Sequence, residues 1–355
     1  MLNDINIVDH PHTEVDILVE KYGKSILKHI WFNDKFLCFT NRVKRKYNTI
    51  NVLEGDFLSL NIDMKFDVIL GNPPYQAQNT VSDDRVQPKN HNLWTKFVEK
   101  SFSLLEDNGV IGFITPDSWM SPTNDVFKLF KEYQLTQSND CSKYFSEGSS
   151  FTSWIAENRK NYKKSKIENL KIDLKNVPYI PRDLLNSFSI HDKVVFKNKL
   201  PTIKNVFDTS CHSSKDFIKK DKSAQYKFEL FHTNAQTRYS DRKSKWQDNI
   251  KVVWTLSGYY KPNIDLGIKG FTEVNNAIIV KNKKEADCIL SMMNSKLYHF
   301  LANTARWSGF LNGKIFNLFP QLEIKVWNDK DIYNFFSLTP EEIDVIERYY
   351  NSHKK

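Results

Sequence analysis

The stretch Phe66–Gln76, FDVILGNPPYQ, opens with an apolar run through Leu70 and is stopped by Gly71 and two prolines. A short apolar run bounded by residues that break regular structure predicts a buried strand ending in a rigid loop. Open α/β sheets bind their ligands at that end of a strand. Pro73 and Pro74 fix φ and exclude helix, so the loop holds Asn72 and Tyr75 in one geometry. Asn72 brings a side-chain carbonyl, Pro73 a backbone carbonyl free to accept, and Tyr75 a flat ring. Two acceptors beside a stacking surface suit the exocyclic amine of a flipped-out adenine.

Working outward, HIWFNDKF predicts a short strand ending near Asp34, NRVKRKYN a basic helix, and INVLEG a strand rising to Asp56. INIVD at residues 5–9 predicts another strand, and apolar residues at helical spacing follow from Val15. This alternation of strand and helix predicts an α/β fold with a parallel, doubly wound sheet. Acids at the ends of successive strands suit a cofactor with ribose hydroxyls and an adenine amine. After Tyr75 the chain is polar and patternless to His91, which predicts a loop near the site. HNLWTKFVEKSFSLLEDNG predicts a helix ending at Gly109, VIGFITP a buried strand, and DVFKLFKEY a further helix. The tail SLTPEEIDVIERYY begins with a helix-start signal and predicts an amphipathic terminal helix.

A chain of 355 residues has room for two domains. Its net charge of +9 is concentrated: Arg159 to Lys251 holds 22 Lys and Arg against 10 Asp and Glu. A basic region confined to one part of a chain is the footprint of a polyanion partner, set against the plainer reading of a solvated Lys-rich surface. Within it Arg238, Arg242, Lys243 and Lys245 alternate with Tyr239 and Trp246, a pattern able to hold phosphates and pack on sugar or base faces. The four cysteines are far apart, which predicts a reducing, cytoplasmic setting and no structural metal. Nothing reads as a signal peptide or a membrane span.

GNPPYQ resembles motif IV of the γ-class adenine-specific DNA methyltransferases of restriction–modification systems. The resemblance implies a Rossmann-like methyltransferase domain over residues 1–159 and an α+β target-recognition domain over 160–355. It implies S-adenosyl-L-methionine as cofactor, double-stranded DNA as partner, and methyl transfer to the amine of a flipped adenine. Asn72, Pro73, Pro74 and Tyr75 match the catalytic motif, Asp34 the acid that binds the ribose hydroxyls, and Asp56 with Phe57 the pair that holds the cofactor's adenine. EGSSFTSWIAENRK resembles the region that supplies a second ring to the flipped base, with Phe151 and Trp154 as candidates. The front of the chain departs from the family. Asp9 aligns with the strand-end acid of motif I, but HPHTEV replaces the glycine-rich loop, with Thr13 and Val15 where two glycines belong. The resemblance therefore implies a truncated or degenerate member, or one half of a split enzyme whose second chain supplies motif I. Its alternative is a catalytically impaired specificity subunit.

Overall fold

A computed structural model describes residues 14–75, 93–145, 150–307 and 311–353. The chain divides into two compact units, one of residues 1–117 and 128–172, the other of residues 118–127 and 173–355. The division expected at residue 159 moves to 172 because two short strands there extend the first unit's sheet.

The first unit begins with helix α1, Glu14–Tyr22, followed by β1, Trp31–Asp34, α2, Leu37–Lys46, and β2, Asn51–Glu54. β1 and β2 pair in parallel, Trp31 opposite Asn51 and Asp34 opposite Glu54. Val15, Leu27, Val43, Tyr47 and Ile50 form a small core of their own. The basic last turn of α2 complements its dipole, and Lys46 lies 2.9 Å from the buried carboxylate of Asp16.

The larger sheet is built from β3, Phe66–Gly71, then β4, Leu105–Pro116, β5, Tyr133–Asp140, β6, Phe151–Lys160, β7, Ser165–Ile167, and β8, Leu170–Ile172. Its spatial order is β3-β4-β6-β5-β7-β8. Helix α3, Leu93–Ser103, makes the crossover between the parallel pair β3 and β4. β4 and β5 then each pair antiparallel with β6. The fold is thus α/β with a mixed sheet. The continuous parallel β-α-β-α-β sheet expected from sequence is not formed among the described residues, because β2 pairs only with β1 and β3 is an edge strand. The helix expected to run to Gly109 stops at Ser103, and Asn108 takes a left-handed φ of 65° just before that glycine.

β4 alternates buried and half-buried residues along its length, as a strand with two different faces must. On one face Ile111, Phe113, Trp154, Ala156 and Leu135 are buried. Phe130 of α4, Asp125–Glu132, meets Trp154 edge-on at 4.9 Å on that side. The other face carries Leu70, Gly112, Ile114, Ser153, Ile155, Gln137 and Asn139, and none of these is buried.

In the second unit, α5, Leu184–His191, is followed by β9, Ile218–Lys219, β10, Phe228–Thr233, and β11, Gln236–Ser240. Next come β12, Ile250–Thr255, β13, Asn263–Leu266, β14, Gly270–Phe271, and β15, Asn275–Ile279. Two small sheets result, ordered β14-β10-β11-β9 and β13-β12-β15. The helices α6, Lys283–Met293, α7, Lys296–Thr304, α8, Asp329–Phe335, and α9, Pro340–His353, complete the unit. α9 starts as expected: Thr339 Oγ1 accepts from Glu342 N at 3.3 Å while Glu342 Oε2 accepts from Thr339 N at 2.9 Å, a reciprocal capping box. No described helix is long and apolar enough to cross a membrane.

Candidate active site

β3 ends at Gly71, and the two prolines that follow hold the loop Asn72-Pro73-Pro74-Tyr75 out of helix. Gly71 is required there by close approach, since a Cβ on it would lie 3.1 Å from the Phe113 ring. Within the loop Pro73 is buried while Asn72 and Tyr75 are half-buried. The Tyr75 hydroxyl donates to Asn72 Oδ1 at 2.6 Å. Burial pushes that hydroxyl up to about 12, with the bond to Asn72 pulling the other way.

Of the two rings expected near the flipped base, only Phe151 touches this loop. Its centroid lies 4.8 Å from Tyr75 and 4.2 Å from Phe145, so the three rings form a tier. Trp154 belongs to the opposite face. It is fully buried, packs on Phe113 and Phe130, and donates through Nε1 to Thr115 Oγ1 at 2.9 Å. Trp154 is a core residue for a simple reason: strand side chains alternate, and three residues separate it from Phe151. Phe145 escaped the sequence reading, although it closes the CSKYF stretch quoted there for another purpose.

A cavity of about 300 Å³ opens beside Asn72 on the uncovered face of the sheet, lined by Leu70, Ile114, Gln137, Asn139, Ser153 and Glu14 among others. Nothing in the sequence singled out these polar residues. Read linearly, they are only the polar half of two alternating strands.

The acids lie at the carboxyl ends of the two parallel strands. Asp34 is buried, and burial raises its carboxyl while the Phe36 amide, which donates to Oδ1 at 2.8 Å, opposes the rise. Asp56 Oδ1 accepts from Leu58 N at 3.0 Å, and its Oδ2 lies 3.7 Å from Lys35 Nζ. Each carboxylate thus spends one oxygen on its own turn and keeps another for a ligand. Asn33 braces the strand ends by donating to Leu53 O at 2.7 Å and Gly55 O at 3.0 Å. The Phe57 ring is stacked on Phe97 at 5.5 Å with Lys100 Nζ 5.2 Å from its centroid, so packing on cofactor falls to its remaining surface. These residues fit the adenosine half of S-adenosylmethionine. Asp9 and the HPHT part of the replaced loop lie outside the described residues. Among the described residues no cluster of three or more His, Cys, Asp or Glu is placed to hold a metal.

The four basic residues expected to meet DNA do not form one free cluster. Arg242 is paired with Asp241 at 2.6 Å and lies 4.6 Å over Phe217. Lys243 is held by both oxygens of Asp248, at 2.8 and 2.9 Å. Arg238 donates to Gln236 Oε1 at 3.0 Å, and Lys245 lies 4.6 Å over Trp246, which packs against a core of Val253, Phe271 and Ala277. The acids one and five residues away had been legible beside Arg242 and Lys243.

Residues 12–151 match the Eco57I restriction-modification methylase family. The chain is similar to the Type II methyltransferase M.PaeR7I of Pseudomonas aeruginosa, 27% identical over 126 residues that cover 30% of this chain and 22% of that protein. It is also similar to the modification methylase CviBIII of Paramecium bursaria Chlorella virus NC1A, 28% identical over 28% of this chain and 27% of that one. The matched stretch therefore spans about a quarter of these relatives. Among solved structures, the Type IIL restriction-modification enzyme MmeI in complex with DNA aligns over 81% of this chain and 51% of its own, with 10% identity and a TM-score of 0.45.

Proposed function

We propose, for a chain whose residues 12–151 match a restriction-modification methylase, that it transfers a methyl group to the exocyclic amine of adenine in DNA. The observation that carries this reading is the loop after β3, where the Asn72 carbonyl, the Pro73 carbonyl and the Tyr75 ring converge beside a cavity. The adenine amine is a poor nucleophile because its lone pair is delocalised into the ring. Asn72 Oδ1 and Pro73 O would each accept one of its N–H bonds, turn the lone pair out of the ring plane, and stabilise the positive charge that grows as the methyl arrives. Dipoles fixed in advance at that point contribute about 2.7–4 kcal/mol each, by analogy with oxyanion donors. No strong base is required.

S-adenosylmethionine, when bound, supplies the electrophilic methyl group. Asp34 and Asp56 would hold its ribose and adenine through the carboxylate oxygens not used by their own turns. Tyr75, backed by Phe151 and Phe145, offers the flipped base a stiff stacking surface that offsets part of the unstacking cost. Double-stranded DNA is the substrate in this reading, and the basic excess between Arg159 and Lys251 supplies phosphate contacts.

Asn72→Ala should lower methylation by at least a hundredfold while DNA affinity stays within a few-fold of wild type, because the carbonyl acts mainly on the transition state. Activity within a few-fold of wild type in that variant removes Asn72 from the chemistry.

A second reading, that a partner chain completes the enzyme, is favoured by β3 itself. It is an edge strand of the larger sheet, and Val68 and Leu70 are 55% and 57% exposed. Sheets containing parallel pairs ordinarily have both faces covered, and an apolar strand left open on its edge and face is a place for another polypeptide. Calorimetry with S-adenosylmethionine, on the chain alone and with the product of the neighbouring upstream gene, separates the two readings. Binding only in the mixture selects the second.

A further inference from the structure

We propose that the Tyr75 hydroxyl is a latch on Asn72, released by a base that brings an amino group, so that Tyr75 helps to choose the base as well as to stack on it. The inference rests on the reading of Asn72 as acceptor for the adenine amine. The hydroxyl donates to Asn72 Oδ1 at 2.6 Å, a well-formed O–H···O bond. One face of the Tyr75 ring lies against Phe151, with centroids 4.8 Å apart, and the base must therefore use the other.

A phenolic hydrogen lies in the plane of its ring, because the oxygen is conjugated with it. The latch thus holds Oδ1 close to the tyrosine plane. A base stacked on the free face has its own plane about 3.5 Å away. Its amine lies in that second plane and needs an acceptor at about 2.9–3.0 Å. Oδ1 cannot meet both demands, so it must leave the hydroxyl to meet the amine. Adenine replaces the lost donor with its own N–H, and Asn72 stays satisfied. A base with a carbonyl or a bare hydrogen at that position brings no replacement, and breaking the latch for it leaves the acceptor unpaired. Tyr75 is here a positioning residue that acts on the base through Asn72.

The test is a double cycle in protein and base. Target sites are located by sequencing plasmid DNA that the wild-type chain has methylated in cells. Duplexes with adenine at the target, or with purine, which lacks only the amino group, are then titrated with wild type and with Tyr75→Phe, which keeps the ring. The latch predicts that Tyr75→Phe binds the adenine duplex roughly 3- to 10-fold more tightly and the purine duplex unchanged. Equal effects on both duplexes, or weaker binding of adenine by the variant, overturn the latch and leave the assignment of Asn72 standing. A wild-type chain that methylates no DNA, with or without its neighbouring gene product, overturns that assignment and the latch together.

Discussion

Phe151 and Trp154 show what a single position decides. Both are aromatic, both lie on β6, and sequence offered them as equals, yet one backs Tyr75 and the other fills the core. Strand periodicity separates them in principle, but only once a neighbour shows which face is buried. Phe151→Ala should weaken target-base stacking and reduce methylation with a modest loss of stability, whereas Trp154→Ala should cost about 3–5 kcal/mol of stability. Chemical denaturation beside a methylation assay distinguishes them, and a Trp154 variant that melts like wild type would return that ring to the candidate site. His191 gives a prediction in pH. It is fully buried between Tyr179 and Thr304, each 2.7 Å from a ring nitrogen, and burial lowers its pKa to about 3. The unfolded chain binds the proton near 6.5 and the folded chain does not, so stability is intact above about pH 6.5 and falls as pH drops toward 3. Between pH 6.5 and 5 the loss from this residue is on the order of 2 kcal/mol. Denaturation midpoints at pH 7 and pH 5 measure it, and a His191→Gln variant with the same pH dependence as wild type would assign the loss elsewhere.

At the level of elements, β3 and its loop were legible because apolar run, glycine and prolines all point to one structure. β5 was not, since YQLTQSND shows no apolar alternation. The physical reason is that its buried polar residue Gln134 is satisfied from outside the strand: its Oε1 accepts from Tyr162 N at 3.1 Å and Lys163 N at 3.0 Å. Hydrogen bonds to distant backbone let polar residues occupy core positions, and no local pattern reveals that. The pairing of β2 with β1 alone was likewise invisible, because strand neighbours are set by long-range contacts. From the open flank of β3 comes a prediction. Val68→Lys with Leu70→Lys should change the stability of the isolated chain by no more than about 0.5 kcal/mol, since both side chains are largely solvated. In the partner-completed reading the same pair of changes should abolish association with the partner. Thermal melts together with co-purification check both halves, and a large loss of stability would mean that the chain itself covers this flank.

For the molecule as a whole, charge counting located a basic region but not its pairing, and Arg242 and Lys243 spend their charge on Asp241 and Asp248. The surplus between Arg159 and Lys251 must therefore act through other cations if it meets DNA. The two units divide the proposed labour accordingly, the first carrying the Asn72 loop and the strand-end acids, the second most of that basic excess. The central claim is that the loop after β3 delivers a methyl group to an adenine amine. It is tested most directly by incubating the chain, alone and with its neighbouring gene product, with DNA and methyl-labelled S-adenosylmethionine, then identifying the labelled nucleoside by mass spectrometry. The account predicts N6-methyladenine in at least one of the two mixtures and none with Asn72→Ala. Label on cytosine, label undiminished in Asn72→Ala, or no labelled DNA in either mixture would contradict it.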